Sequence, residues 1–145
     1  METGEKMEKT VRNKIRINAP REKVWQVLSR VEYIKQWDDV PDSFGGEALY
    51  PGAVLEWEGH AKLTVTVFRE PEEMRMRLFL PKVDLAPEKY EVYYTYRLED
   101  AGGETVLELE VGDFGGLPDA QDYCDASLEF VTDGGQKIKE LAENL

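Results

Sequence analysis

Hydrophobic and polar residues alternate along most of the chain, which is the pattern of strands with one buried face. The first alternating segment runs from Val11 to Ile17 and is followed by two short segments of helical periodicity. Six further strands are predicted between about Glu47 and Val111, separated by turns rich in glycine, proline and acidic residues. Because most of these turns are short, consecutive strands should run antiparallel.

The last segment, about Pro118 to Leu145, has helical periodicity. Apolar or small residues recur there at steps of three and four, which places them on one stripe of a helix: Cys124, Leu128, Val131, Gly135, Ile138, Ala142 and Leu145. This is the one predicted helix long enough to cover the apolar face of a sheet. The pattern therefore predicts an α+β fold of helix-grip type, in which a seven-stranded curved antiparallel sheet wraps around a long C-terminal helix. A cavity is expected wherever small side chains lie between the two.

The order of the turns predicts where such a cavity opens. Antiparallel strands reverse direction, so alternate turns lie at the same end of the sheet. The longer loops share one end with the start of the last helix, and long loops on a rigid scaffold often carry function. This end carries the apolar side chains Trp37, Phe44, Leu85 and Phe114. Packing of these loops on the end of the core is the alternative interpretation.

Charge and composition exclude several classes of partner. Eighteen basic and thirty acidic residues give a net charge of −12, which argues against nucleic acid and anionic membranes as partners. A single cysteine excludes an intramolecular disulfide and fits a reducing compartment. No apolar run resembles a signal peptide or a membrane span, so we expect a cytoplasmic protein with no membrane insertion. Residues 1–9 are expected to form a flexible tail before one domain spanning residues 10–145.

Motifs for metal, cofactor or catalytic chemistry are not found in the sequence. His60, the only histidine, lies in a predicted turn with no visible catalytic partner. Asp38, Asp39 and Asp42 lack the spacing of a calcium loop and are interpreted as part of a solvated loop. We therefore expect no metal and no cofactor, and name no catalytic residue.

Short motifs give the chain a resemblance to a known family. The segment Ile15–Pro20, followed by Val24-Trp25, resembles the opening of bacterial homologues of the heat-shock-protein-90 ATPase activator. Trp37 matches the tryptophan that closes their second helix. The triplet 133–135, Asp-Gly-Gly, resembles their C-terminal helix motif, although Gln136 stands where these proteins have tryptophan. The resemblance covers nearly the whole chain. It implies the fold of the SRPBCC superfamily, which includes START domains, the birch-pollen allergen family and polyketide cyclases, with two short helices after the first strand.

The predicted container and the resemblance together favour the binding of a small hydrophobic or aromatic ligand, such as a lipid, polyketide or flavonoid-like compound. A methionine wall adapts to ligand shape, and buried tyrosine hydroxyls can orient a polar group. A filled core is the alternative for most of the inner wall. The predicted ligand-binding residues are Trp37, Phe44, Trp57, Met76, Leu78, Tyr94, Tyr96, Phe114, Tyr123, Val131 and Gly135.

Two other functions stay open. An enzyme of cyclase or hydrolase type would need an ionisable pair in the cavity, for which the sequence offers only Tyr94, Tyr96 and His60. A chaperone-cofactor-like interaction module, with a chaperone as partner, would need an apolar patch on the outer surface. The resemblance lowers this last alternative, because the chain lacks the additional domain of the eukaryotic activators. We expect a monomeric binding protein rather than an enzyme.

Overall fold

The computed structural model describes residues 9–145, so residues 1–8 of the predicted tail lie outside the described residues. Six strands form one antiparallel sheet in the order β1-β6-β5-β4-β3-β2. The strands are β1 (Val11–Ile17), β2 (Val54–Trp57), β3 (Ala61–Arg69), β4 (Glu73–Phe79), β5 (Tyr93–Asp100) and β6 (Thr105–Gly112). The helices are α1 (Arg21–Ser29), α2 (Val31–Ile34), α3 (Ala120–Glu129) and α4 (Gly135–Glu143), with a π turn (Phe130–Gly134) between α3 and α4 and a short 3-10 turn (Pro87–Lys89) before β5.

The helix-grip fold is confirmed, but the predicted strand count of seven is wrong. The segment predicted as a strand from Glu47 to Tyr50 forms only an isolated bridge, between Ala48 and Arg30. Its backbone pairs with the end of α1, because the Leu49 N–H donates to the Ser29 carbonyl at 2.8 Å. This pairing holds the segment beside the helices and away from the sheet, which resumes with β2.

The first strand of the sheet pairs with the last. β1 runs antiparallel to β6 from the Val11–Val111 pair to the Ile17–Thr105 pair. Alternate residues of β6 are completely buried, as expected for a strand with one face on the core: Thr105, Leu107, Leu109 and Val111. The inner face of β1 and β6 is therefore the apolar surface that the C-terminal helix covers.

The C-terminal helix packs on this inner face along its length, and α4 also packs against α1. Its apolar stripe differs from the predicted one before the π turn. Ser127 is buried, whereas Leu128, which the spacing places on the stripe, is 53% exposed. A π turn is wider than an α turn, so the residue four positions before Val131 faces the core in place of the residue three before it. Asn13 of β1 supports the turn, because its Nδ2 donates to the Val131 carbonyl at 2.9 Å.

No helix within residues 9–145 combines the length and the apolar character needed to cross a bilayer.

Candidate ligand pocket

A partly open pocket of about 380 Å³ lies at the end of the sheet that carries the β2–β3 turn, the β4–β5 loop and the β6–α3 loop. The sequence places the long loops at this same end. We call it the mouth pocket, and it is lined by Asp38, Asp39, Trp57, Ala61, Leu63, Leu78, Leu80, Tyr94, Phe114, Tyr123, Ala126, Ser127 and Phe130.

One wall of the mouth pocket comes from four neighbouring strands. Trp57 pairs with Ala61, and Leu63 pairs with Leu78, so these side chains share one face of the sheet. Tyr94 follows on β5, where it lies opposite Met76 of β4. The alternation of apolar and polar residues in these strands therefore produces a continuous apolar wall.

The opposite wall comes from α3 and the π turn. Tyr123, Ala126, Ser127 and Phe130 recur at steps of three, one and three residues, which places them on one face of the helix. Between the two aromatic residues lie the small side chains of Ala126, which is exposed, and Ser127, which is buried. The space of the pocket lies where these small residues face the apolar wall.

Aromatic contacts fix the floor of the mouth pocket. The rings of Phe114 and Tyr123 stack with centroids 5.3 Å apart, and Tyr94 meets Phe130 edge to face at 5.6 Å. Below them, Trp37 contacts both Phe130 and Tyr96. The Trp37 indole N–H donates to the Val27 carbonyl at 2.9 Å, which anchors the start of the acidic loop to α1.

Two carboxylates stand at the edge of the mouth pocket. Asp39 Oδ2 accepts a hydrogen bond from Trp57 Nε1 at 2.7 Å, which fixes the indole ring beside the pocket. Asp38 is open to solvent on one side, but burial of its carboxyl group raises its pKa to about 6, against a lowering by the Asp39 backbone N–H. The negative charge of Asp39 adds to the increase.

The charge of Asp38 also affects the pKa values of two tyrosines of β5. Burial, with a smaller contribution from the charge of Asp38, raises the pKa of Tyr94 to about 12. The same causes, with Tyr94 itself, raise the pKa of Tyr96 well above its usual value. Within residues 9–145, neither hydroxyl has a protein hydrogen-bond partner. Both tyrosines therefore stay protonated at neutral pH, and the Tyr94 hydroxyl is free to bond a ligand.

The structure brings together five of the eleven predicted ligand-binding residues in the mouth pocket: Trp57, Leu78, Tyr94, Phe114 and Tyr123. Four others lie in the core behind it, each at most 6% exposed: Trp37, Met76, Tyr96 and Val131. Phe44 stacks on Tyr50 with ring centroids 6.2 Å apart, and Gly135 lies against Ile15 of β1. Leu85, predicted at the opening, is exposed and does not line the pocket.

Asp38 is the main residue of the pocket that the sequence does not identify. An acidic run beside proline and glycine is typical of a solvated loop, which is how the sequence is interpreted. The signal available was its neighbour Trp37, because a buried tryptophan directly before Asp38 keeps the loop close to the core. Phe130 and Ser127 are missed for a different reason, since the π turn brings them to the inner face.

Two other features do not form a site. Within the described residues, no three His, Cys, Asp or Glu side chains converge to hold a metal ion. A more polar depression of about 630 Å³ lies beside Lys89, Asp113 and Gly116. Its lining includes Lys9, the first described residue, and several charged side chains of the surrounding loops. The mouth pocket is smaller but has the apolar walls that small-molecule sites share.

Comparisons with known proteins agree with the fold. Residues 18–143 match the family model described as "Activator of Hsp90 ATPase homolog 1-like protein". The solution structure of the Aha1 dimer from Colwellia psychrerythraea is 16% identical, with 92% of this chain and 96% of that chain covered and a TM-score of 0.70. An HSP90 activator from Plasmodium falciparum is 10% identical over 91% of this chain and 94% of that chain, with a TM-score of 0.63.

A third similar structure is CalU16 from Micromonospora echinospora, which is 16% identical. The match covers 93% of this chain and 82% of that chain with a TM-score of 0.66. At these identities the neighbours establish the fold and leave the ligand open. A search among curated proteins found no match.

Proposed function

Since the chain belongs to the Activator of Hsp90 ATPase homolog 1-like family, whose fold is compatible with ligand binding, we propose that it binds a small, largely apolar or aromatic molecule in the mouth pocket. The ligand lies between the sheet and α3. The observation that carries the proposal is the pocket itself, about 380 Å³ with aromatic and aliphatic walls facing Ala126 and Ser127. A lipid, a polyketide or a flavonoid-like compound has the corresponding chemistry.

The size of the pocket suits a compound of about two rings. Small ligands gain roughly 0.3–1.5 kcal/mol per heavy atom, so about twelve atoms at ~0.5 kcal/mol each give ~6 kcal/mol. That free energy corresponds to a dissociation constant of tens of micromolar. Such an affinity is within the range of a titration followed by NMR.

The test is a titration of the ¹⁵N-labelled protein with 2-naphthylmethanol, a neutral two-ring probe. We expect shifts of the Trp57 indole N–H and of the Ala126 and Ser127 amides, since these line the pocket. The Trp37 indole N–H, buried below the floor, is the internal reference and should shift less. Shifts confined to the outer face of the sheet, or no saturable shift for this probe and a library of lipids and aromatics, would contradict the proposal.

A second candidate is an enzyme of cyclase or hydrolase type, and Asp38 is the observation in its favour. A carboxyl group with a pKa of about 6 can exchange a proton near neutral pH. Tyr94, with a pKa of about 12, would act as a hydrogen-bond donor and not as a base. Hydrolysis of p-nitrophenyl butyrate tests the hydrolase form: a rate that titrates near pH 6 and is lost in Asp38→Asn supports it. If the protein hydrolyses this ester no faster than buffer alone does, the hydrolase proposal fails for esters.

The interaction module receives less support. Five large apolar side chains are exposed in residues 9–145, each between 37% and 53%: Tyr50, Val54, Leu85, Leu128 and Leu145. Partly exposed apolar side chains are normal on a protein surface, so these five do not by themselves indicate a docking face. The proposal also includes a monomeric protein acting in the cytoplasm, and light scattering after size exclusion tests the monomeric state.

A further inference from the structure

We infer that the ligand preferred by the mouth pocket carries a cationic group, an ammonium on an aromatic or apolar body, with Asp38 as its counter-ion. This inference rests on the proposed function of the mouth pocket as a ligand site. It adds the chemical class of the ligand's polar group, which the apolar walls alone do not determine.

The charge of the pocket is one-sided. Asp38 and Asp39 are acidic, and no lysine, arginine or histidine of the described chain is among the lining residues. One carboxylate oxygen of Asp39 already accepts a hydrogen bond from the indole N–H of Trp57. Within residues 9–145, the Asp38 carboxylate accepts a hydrogen bond from the Asp39 backbone N–H but has no ion pair and no hydrogen bond from another side chain. A cationic group on the ligand would supply the positive counter-charge that this carboxylate lacks.

The aromatic residues add a second, independent reason. Trp57, Tyr94 and Tyr123 line the same pocket, and the faces of such rings attract an ammonium group within about 6 Å. The Tyr94 hydroxyl has no protein partner in the described chain and has lone pairs that can accept an ammonium N–H. Carboxylate, ring faces and a free phenolic oxygen are the groups that recognise an organic cation.

The titration of Asp38 supplies a further signature. The titratable groups that face it are Asp39 beside it in the loop and Tyr94 and Tyr96 on β5, with Tyr123 on α3 sharing the pocket. None of these is cationic, and both tyrosines stay protonated up to high pH. Because its pKa is about 6, Asp38 loses its charge as the pH falls below that value. An ammonium ligand should therefore bind more tightly at pH 7.5 than at pH 5.

Three probes on one ring system test the inference by isothermal titration calorimetry or NMR: 2-naphthylmethylammonium, 2-naphthylmethanol and 2-naphthoate. They differ in charge and hardly in size. We expect the ammonium to bind at least about tenfold more tightly than the alcohol, a ratio that corresponds to ~1.4 kcal/mol. The carboxylate should bind more weakly than the alcohol. The affinity of the ammonium should fall by up to about tenfold from pH 7.5 to pH 5, and that of the alcohol should stay constant.

Asp38→Asn and Asp42→Asn form a matched pair of variants. Both remove one negative charge from the same loop, but Asp42 does not line the mouth pocket. We expect Asp38→Asn to reduce the preference for the ammonium over the alcohol to within about twofold, and Asp42→Asn to keep it. An equal loss in both variants would mean that net charge, and not Asp38, attracts the cation, and would overturn the inference.

The outcomes separate this inference from the proposed function. If the alcohol binds as tightly as the ammonium to the wild-type protein, the pocket is a ligand site without charge preference and the inference fails alone. If none of the three probes binds, both fail for this ring system. The comparison of probes on the wild-type protein needs no variant, so it decides the matter even if Asp38→Asn does not fold.

Discussion

In the C-terminal helix, α3 and α4 both carry small residues near the sheet, but only α3 leaves an open space beside them. Ala126 and Ser127 line the mouth pocket. In α4, by contrast, a Cβ built on Gly135 would overlap the Cδ1 of Ile15, and Ala142 is almost completely buried. The same kind of residue therefore forms a cavity wall in one half and a close contact in the other.

The difference shows that a small residue in such a helix does not by itself predict a cavity. What decides its role is whether a side chain of the sheet, such as Ile15 at Gly135, fills the space beside it. The α4 half packs on β1 and α1 together, whereas the α3 half contacts β1 and also borders the pocket lined by residues of β2 to β5. The π turn between them lets the two halves turn different faces inward without breaking the helix.

The largest effect is expected from the packed half. Ile138 of α4 is completely buried, so Ile138→Ala should lower the free energy of unfolding by about 2–5 kcal/mol, through lost contacts and the cavity left behind. Leu128→Ala in α3 is the control, since Leu128 is 53% exposed and should change stability by less than about 0.5 kcal/mol. Urea denaturation measures both. Equal losses would mean that the two halves pack alike.

The next largest effect on stability is expected at the two adjacent glycines of the helix. Gly135→Leu should cost about 1–3 kcal/mol by overpacking against Ile15, since no space is left for the side chain. At Gly134 a Cβ would lie 3.7 Å from Trp37 Cε3, an ordinary contact, so Gly134→Ala should be neutral or stabilise by up to ~1 kcal/mol. Thermal unfolding of both variants tests this. Gly135→Leu with wild-type stability would contradict the close packing of α4 on β1.

The open half should respond to added volume in the opposite way. Ala126→Phe on α3 should weaken binding of 2-naphthylmethanol by about tenfold or more by occupying the pocket, with stability unchanged within about 0.5 kcal/mol because Ala126 is exposed. Leu128→Phe adds an aromatic ring to the same helix outside the pocket and should leave binding unchanged. Loss of stability in Ala126→Phe without loss of binding would place the ligand elsewhere.

The sequence predicts most of the strands well because their buried faces depend on local pattern. Leu107 and Leu109 alternate with glutamates, and that alternation specifies the buried face of β6 without any knowledge of neighbours. The additional strand predicted from Glu47 to Tyr50 is wrong because the pairing of this segment depends on distant residues. The segment has strand character, but its hydrogen-bond partners lie at Ser29 and Arg30, far away in sequence and outside the sheet.

The mouth pocket depends on features that a local pattern does not contain. Helical spacing alone is compatible with either Ser127 or Leu128 on the inner face, and only the π turn decides between them. The altered pKa of Asp38 likewise arises from the packing of its loop against the rest of the protein, including β5. Residues of this kind become candidates only when the distant elements that surround them are known.

The smallest effect concerns pH, for which the two halves should differ in sign. At the open end, the raised pKa of Asp38 means that the folded protein binds its proton more tightly than the unfolded chain, so this group contributes stability at low pH that is lost as the pH rises through about 6. At the packed end, the hydrogen bonds from Lys139 Nζ at 2.6 Å and from the Asn18 N–H at 2.8 Å lower the pKa of Glu143. Its contribution is present above the ordinary glutamate pKa of about 4.5 and is lost as the pH falls.

Melting temperatures of the wild-type protein, Asp38→Asn and Glu143→Gln between pH 3.5 and pH 8 measure these contributions. Other carboxyl groups cancel when each variant is compared with the wild type at the same pH. The melting temperature of Asp38→Asn should rise relative to the wild type between about pH 4 and pH 7, because the variant has no carboxylate to desolvate. That of Glu143→Gln should fall relative to the wild type as the pH rises towards about 4.5 and then level off, because the variant lacks the ion pair with Lys139. Since both side chains are exposed on one side, each change should be small, and it is the opposite sign of the two slopes that tests the assignment. Parallel slopes would mean that the Asp38 carboxyl is as well solvated as an ordinary surface carboxylate, and the pocket would then lack the poorly solvated charge on which cation binding depends.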